Sequence, residues 1–138
     1  MATPVMRLRS GTEYRVLCVK QPWAWAIVHG GKDVENRTWR SPYRGLVLIH
    51  ASSPPKRAYL EEDLEEVSTR VRRQPAAIEK QLLYGAILGA VDLVDIVDDS
   101  ESPWALDAHE HWLFENPRRL DEPFALKGKL NLWRWVAP

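Results

Sequence analysis

Apolar and polar positions alternate well enough from Tyr14 to Lys20 to predict a first strand. Pro22 to His29 is then almost wholly apolar, opened by a proline and closed by Gly30 and Gly31, which predicts a short helix with a glycine stop. Asp33 to Trp39 predicts a strand, and Ser41-Pro42 a turn. Leu46 to His50 (LVLIH) is apolar on both faces, as in a central strand. From Arg57 to Arg73, Leu60, Leu64, Val67 and Val71 fall at helical spacing. The acids Glu61, Glu62, Asp63, Glu65 and Glu66 precede Arg70, Arg72 and Arg73, an order that suits the helix dipole and reads as a solvated face. Ala86 to Val97 predicts a long strand in which Gly89 marks a bulge or a close approach, with Asp92 and Asp95 on opposite faces. His111 to Glu115 and Leu130 to Val136 are shorter strands, the second placing Trp133 and Trp135 on one face. Residues 1–12 read as a mobile arm. The whole, 1–138, reads as one α+β domain, a small barrel or curled sheet with a few helices.

Composition narrows the classes. With 45% hydrophobic and 28% charged residues the chain has ordinary globular character, and 138 residues bury a core without metal or disulfide staples. Lysine plus arginine number 19, as do the acids, so a polyanion would be held by a local basic patch and not by the field of the whole molecule. The single cysteine, Cys18, lies in an apolar run and reads as a buried structural thiol in a reducing compartment. No apolar stretch approaches the roughly 20 residues of a membrane span, and the N-terminus lacks the apolar core of a signal peptide, which points to the cytoplasm.

Chemistry concentrates between Gln21 and Arg44. On a regular strand Glu35, Arg37 and Trp39 share one face, and Lys32 leans over the same face from the glycine turn. Lys32, Arg37 and Arg44 are suited to phosphate, Glu35 to an exocyclic amine or to orienting Arg37, and Trp23 or Trp39 to stacking on a base. The plainer alternatives are a cross-sheet Glu35–Arg37 salt bridge and a core role for Trp23 and Trp25. His109 and His111 have no third ligand nearby in sequence, so no metal is expected. There is no G-x-S-x-G, P-loop or G-x-G-x-x-G, and no cofactor is expected.

These residues resemble a known family. Q-P-W-A from Gln21, then G-x-K-x-x-E-x-R-x-W from Gly30 to Trp39, then Y-R-G from Tyr43 before a strand ending His50-Ala51-Ser52, is similar to the activating signal cointegrator homology (ASCH) domain. The likeness continues through Tyr84-Gly85 to Asp95 and from Trp112 to Leu120, with Pro123, Gly128 and Trp133, interrupted by a helical insertion at 56–81. It implies a PUA-like β-barrel with a ligand cleft beside it, and binding of RNA or another single-stranded nucleic acid. The residues and the resemblance together nominate Gln21, Trp23, Lys32, Glu35, Arg37, Trp39, Arg44 and Ser52 for that role. Some members of the family are hydrolases, either ribonucleases or amidohydrolases on N4-acetylcytidine. In that alternative Lys32 and Glu35 would be catalytic, although the amidohydrolase pattern has a threonine where this chain has Glu35.

Overall fold

The structure, a computed structural model, describes residues 3–138. In chain order the elements are β1 (Val5–Met6), β2 (Glu13–Val19), α1 (Trp23–His29), β3 (Val34–Arg37), β4 (Gly45–Ala51), α2 (Arg57–Val71), α3 (Pro75–Glu79), β5 (Ala86–Val97), β6 (Glu110–Ala125) and β7 (Leu132–Val136). The strands form one mixed sheet in the order β1-β6-β5-β4-β2-β7, with β3 added to β6. Strands β2 and β4 run parallel, which requires a crossover, and α1 with β3 supplies it. The α+β class follows. The terminal strands of this path, β1 and β7, do not pair with each other among the described residues, so the hydrogen bonding is open where a barrel is expected.

Alternation within the strands explains how both faces are covered. Leu17 and Val19 of β2, with Val47 and Ile49 of β4, pack beneath Ala24, Ile27 and Val28 of α1. Val16 and Leu48 point the other way, onto Leu120 of β6 and Trp133 of β7. Helix α1 is apolar all round because its outer side is covered as well. Trp25 and Ala26 pack on Leu60, Leu64 and Val67 of α2 and Ile78 of α3. The Gly30 N–H closes the helix on the Ala26 carbonyl at 2.9 Å, and Gly31, at φ +75°, turns the chain toward β3.

Three expectations change. The segment expected as a mobile arm carries β1, which pairs in parallel with Arg119 and Leu120; Met1 and Ala2 lie outside the described residues. The insertion at 56–81 is two helices, because Pro75 cannot continue α2 and instead occupies the first turn of α3. Strand β6 runs far past Glu115. Asn116-Pro117 and Pro123 look like breakers in sequence, yet both prolines fall where the pairing to β5 shifts register, and Asn116 takes a left-handed φ of 52°. Gly89 is the close approach expected of it: a Cβ there would lie 2.1 Å from the Arg118 carbonyl oxygen.

Candidate nucleic-acid interface

The end of β2, the start of α1 and Glu35 to Arg37 of β3 converge on a cleft of about 610 Å³, a size typical of ligand sites. Lys32 hangs from the glycine turn into its floor and is only 4% exposed. Its Nζ donates to Glu35 Oε1 at 3.1 Å and to the Val34 carbonyl, and it lies 5.8 Å from the centre of the Trp23 ring. The other Glu35 oxygen accepts from Arg37 at 3.0 Å. Arg37 also donates to the Cys18 carbonyl at 2.6 Å, which ties β3 to the end of β2. The expected row of acid and guanidinium on one face is therefore present. The carboxylate has a cation on each oxygen. The hydrolase alternative gains no free base there.

Of the nominated residues, Trp23, Lys32, Glu35, Arg37 and Ser52 line this cleft. Gln21, Trp39 and Arg44 do not. Gln21 is fully buried: its Oε1 accepts the Trp25 N–H at 2.8 Å and its Nε2 donates to the Leu83 carbonyl, so it braces α1. Strand β3 ends at Arg37, before the alternation reaches Trp39, whose ring instead meets Trp112 edge-on with centroids 4.7 Å apart. Arg44 turns onto the carbonyls of Ser41 and Tyr43 and onto Asp95 at 3.3 Å. Trp25 belongs to the core and Trp23 to the cleft, which divides the two tryptophans that sequence alone leaves open.

Distant segments complete the lining. From α2 come Asp63, Glu66 and Arg70, so part of the run read as a solvated face borders the cleft. Arg70 bonds to the Pro103 carbonyl and lies 5.1 Å over the Trp104 ring. Asn36 clamps the same loop: its Nδ2 donates to the Trp104 carbonyl and its Oδ1 accepts the Leu106 N–H, each at 2.9 Å. Lys20, Lys129 and Asn131 stand on the rim. The lining holds five basic side chains (Lys20, Lys32, Arg37, Arg70, Lys129) against three acidic ones (Glu35, Asp63, Glu66), a local positive excess in a chain of formal charge +0. The spacing of Lys20 after β2 could have drawn notice, but nothing local marks Lys129 or Trp104.

Cys18 also departs from expectation. It is half-buried, not sealed in the core, and lines the cleft. His111 is buried with both ring nitrogens bonded, to the Ser100 N–H and the Leu106 carbonyl. No cluster of potential metal ligands occurs among the described residues. Nor is any described helix long and apolar enough to cross a membrane.

Residues 17–124 match the ASCH domain family. The chain belongs to that family. It is 28% identical over 131 residues to human activating signal cointegrator 1 and 26% identical over 125 residues to the mouse protein. Each match covers 86% of this chain and 22% of the relative, so the chain spans about a fifth of the length of these curated relatives. The ASCH motif residues Gly30, Lys32, Glu35 and Arg37 all fall inside the matched span.

Proposed function

We propose that this ASCH domain binds single-stranded nucleic acid, RNA in the first instance, in the cleft between β3, α1 and α2. One observation carries the reading: a cleft of nucleotide size combines a positive excess with the half-exposed face of Trp23, in a chain with no net charge to attract polyanions elsewhere. The basic groups divide by task. Lys32 and Arg37, locked to Glu35, shape the floor, while Lys20 and Lys129 are exposed and have no carboxylate within ion-pair distance among the described residues, leaving them for phosphate. Trp23 offers a face for one base and Trp104 an edge for the next. Ser52 adds a small hydroxyl to the lining. In this reading the curled sheet serves as a PUA-like barrel, residues 1–138 act as a single ASCH domain, and the 56–81 insertion supplies one wall of the site.

Fluorescence anisotropy with a short labelled single-stranded RNA, and with DNA of the same sequence, tests the reading. Lys20→Ala/Lys129→Ala should weaken binding at least tenfold and reduce the salt slope by about 1.4, the value for two phosphate contacts on a single strand. Affinity that is the same in wild type and variant would remove the cleft as the binding surface. Tighter binding of DNA would reverse the choice of nucleic acid but retain the site.

A further inference from the structure

A second cavity of about 670 Å³ opens beside the first, and Cys18 lies on the boundary between them. The parallel pairing of β2 with β4 sets Cys18 directly opposite His50, and Cys18 Sγ lies 3.3 Å from His50 Nδ1. The other imidazole nitrogen, Nε2, is 2.6 Å from the Leu126 carbonyl oxygen. Because a carbonyl only accepts, that contact keeps the proton on Nε2 and leaves Nδ1 as a base facing the thiol. A nucleophile, a base and a group that orients the base are therefore in place. Gly128 makes the arrangement possible: a Cβ there would lie 2.9 Å from Cys18 Sγ and 2.9 Å from His50 Cε1.

The indole of Trp133 supplies an independent sign. Trp133 is 8% exposed, and its Nε1–H has no hydrogen-bond partner within ordinary distance among the described residues. A buried N–H left without a partner is costly. The indole favours the ionised form of the Cys18 thiol. Charge around the thiol has the same sense. The second cavity has Lys127, Lys129 and His50 in its lining and no carboxylate, while Arg37 approaches the Cys18 carbonyl from the first. Of the carboxylates in the larger cleft, Glu35 is held by Lys32 and Arg37, and Glu66 by Arg70; Asp63 projects from α2. In its neutral form the thiol donates to the Lys129 carbonyl at 3.3 Å.

We infer that Cys18 and His50 form a nucleophilic thiolate–imidazolium site at which Cys18 is modified by small uncharged electrophiles, with peroxides as the substrate class. The Cys18 proton passes to His50 Nδ1. The thiolate then attacks one oxygen of hydrogen peroxide, an S–O bond forms as the O–O bond breaks, and sulfur is oxidised by two electrons to sulfenic acid. The departing oxygen takes the proton from Nδ1 and leaves as water. With one cysteine in the sequence there is no second thiol in the chain to form a disulfide, so an external thiol reduces the product. Balances of ionisation agree: burial pushes the thiol up, but the bond and charge of His50, then Trp133, bring it below its ordinary value, while the Cys18 contact raises His50 against the opposing effect of burial.

The test is a pH titration of thiolate absorbance on the native protein, with intact-mass detection of the dimedone adduct after peroxide at neutral pH. Wild type should titrate below the ordinary thiol value of about 8.5 and form the adduct several-fold faster than the urea-unfolded chain. Trp133→Phe, which keeps an aromatic ring and removes the N–H, and His50→Gln should each raise the titration midpoint and slow the adduct. An ordinary midpoint in wild type, or a rate no faster than that of the unfolded chain, would overturn the assignment. Should His50→Gln fail to fold, the wild-type midpoint and the adduct rate against the unfolded chain decide the assignment, and Trp133→Phe reports on the indole alone.

Discussion

Glu35→Gln is the most revealing single change to the cleft floor. The carboxylate is shared by two cations, with Lys32 at 3.1 Å and Arg37 at 3.0 Å, and the Lys32 and Glu35 side chains are 3% and 11% exposed. At 3.1 Å and an effective dielectric of about 20, the Lys32–Glu35 attraction alone is about 5 kcal/mol. Part of that is offset by the burial of both charges, and the glutamine amide retains some hydrogen bonding. Removing one partner of a buried pair typically costs about 3–5 kcal/mol, because the other charge stays buried without compensation. Glu35→Gln leaves the buried Lys32 without its carboxylate and takes one partner from the half-buried Arg37, so a cost within that range is expected. Lys32→Met should cost clearly less, since Glu35 retains Arg37, and so should Arg37→Ala, since Glu35 retains Lys32. Urea denaturation followed by tryptophan fluorescence gives the three midpoints, with unchanged slopes confirming that stability alone has moved. A loss below about 1 kcal/mol for Glu35→Gln, the scale of an exposed ion pair, would refute the claim that Glu35 holds the floor together. So would a larger loss for either cation variant.

Two further outcomes follow from the placement of particular side chains. Trp23→Ala should weaken oligonucleotide binding by about 1–3 kcal/mol, the contribution of one stacked base, with a modest change in stability, whereas Trp39→Ala should destabilise the fold and leave the affinity of the folded protein unchanged; anisotropy and denaturation on both variants would expose an exchange of these roles. Burial, reinforced by Arg119 and Arg73, holds His29 below its usual value of 6.5. The unfolded chain therefore takes up this proton at higher pH than the native one, so the His29 contribution is intact above pH 6.5 and is lost as pH falls through the native value. His29→Asn should flatten the decline of stability with acidification below pH 6.5, and an identical decline in wild type and variant would show that His29 is not its source.

Local pattern was enough for much of the scaffold. The alternation of β2, the glycine-stopped apolar helix α1, the doubly apolar β4 and the long β5 are legible because period and punctuation act over a few residues. The shared face of Glu35 and Arg37 is legible for the same reason, since pleating alone aligns positions two apart. Family membership rests on that same block, whose motif spacing survives in sequence. Alternation does not reveal where a strand stops. Extending the alternation of β3 two residues past its end puts Trp39 in the cleft, and prolines that a register shift accommodates look in sequence like the end of β6.

What only the tertiary structure decided is which side chains face which solvent and which partner. Trp23 and Trp25 are equivalent in composition and two residues apart, yet the packing of α2 and α3 covers one and leaves the other at the cleft. Arg70 of α2, Trp104 and Lys129 reach the site from segments far apart in the chain, and no short-range pattern encodes that meeting. Cys18 and His50 are 32 residues apart and become neighbours through the register of β2 against β4, a quantity set by the buried faces of both strands together. Sequence alone thus determined most of the elements and the charged face of β3. Burial, which depends on what the rest of the chain places above each residue, determined the cleft.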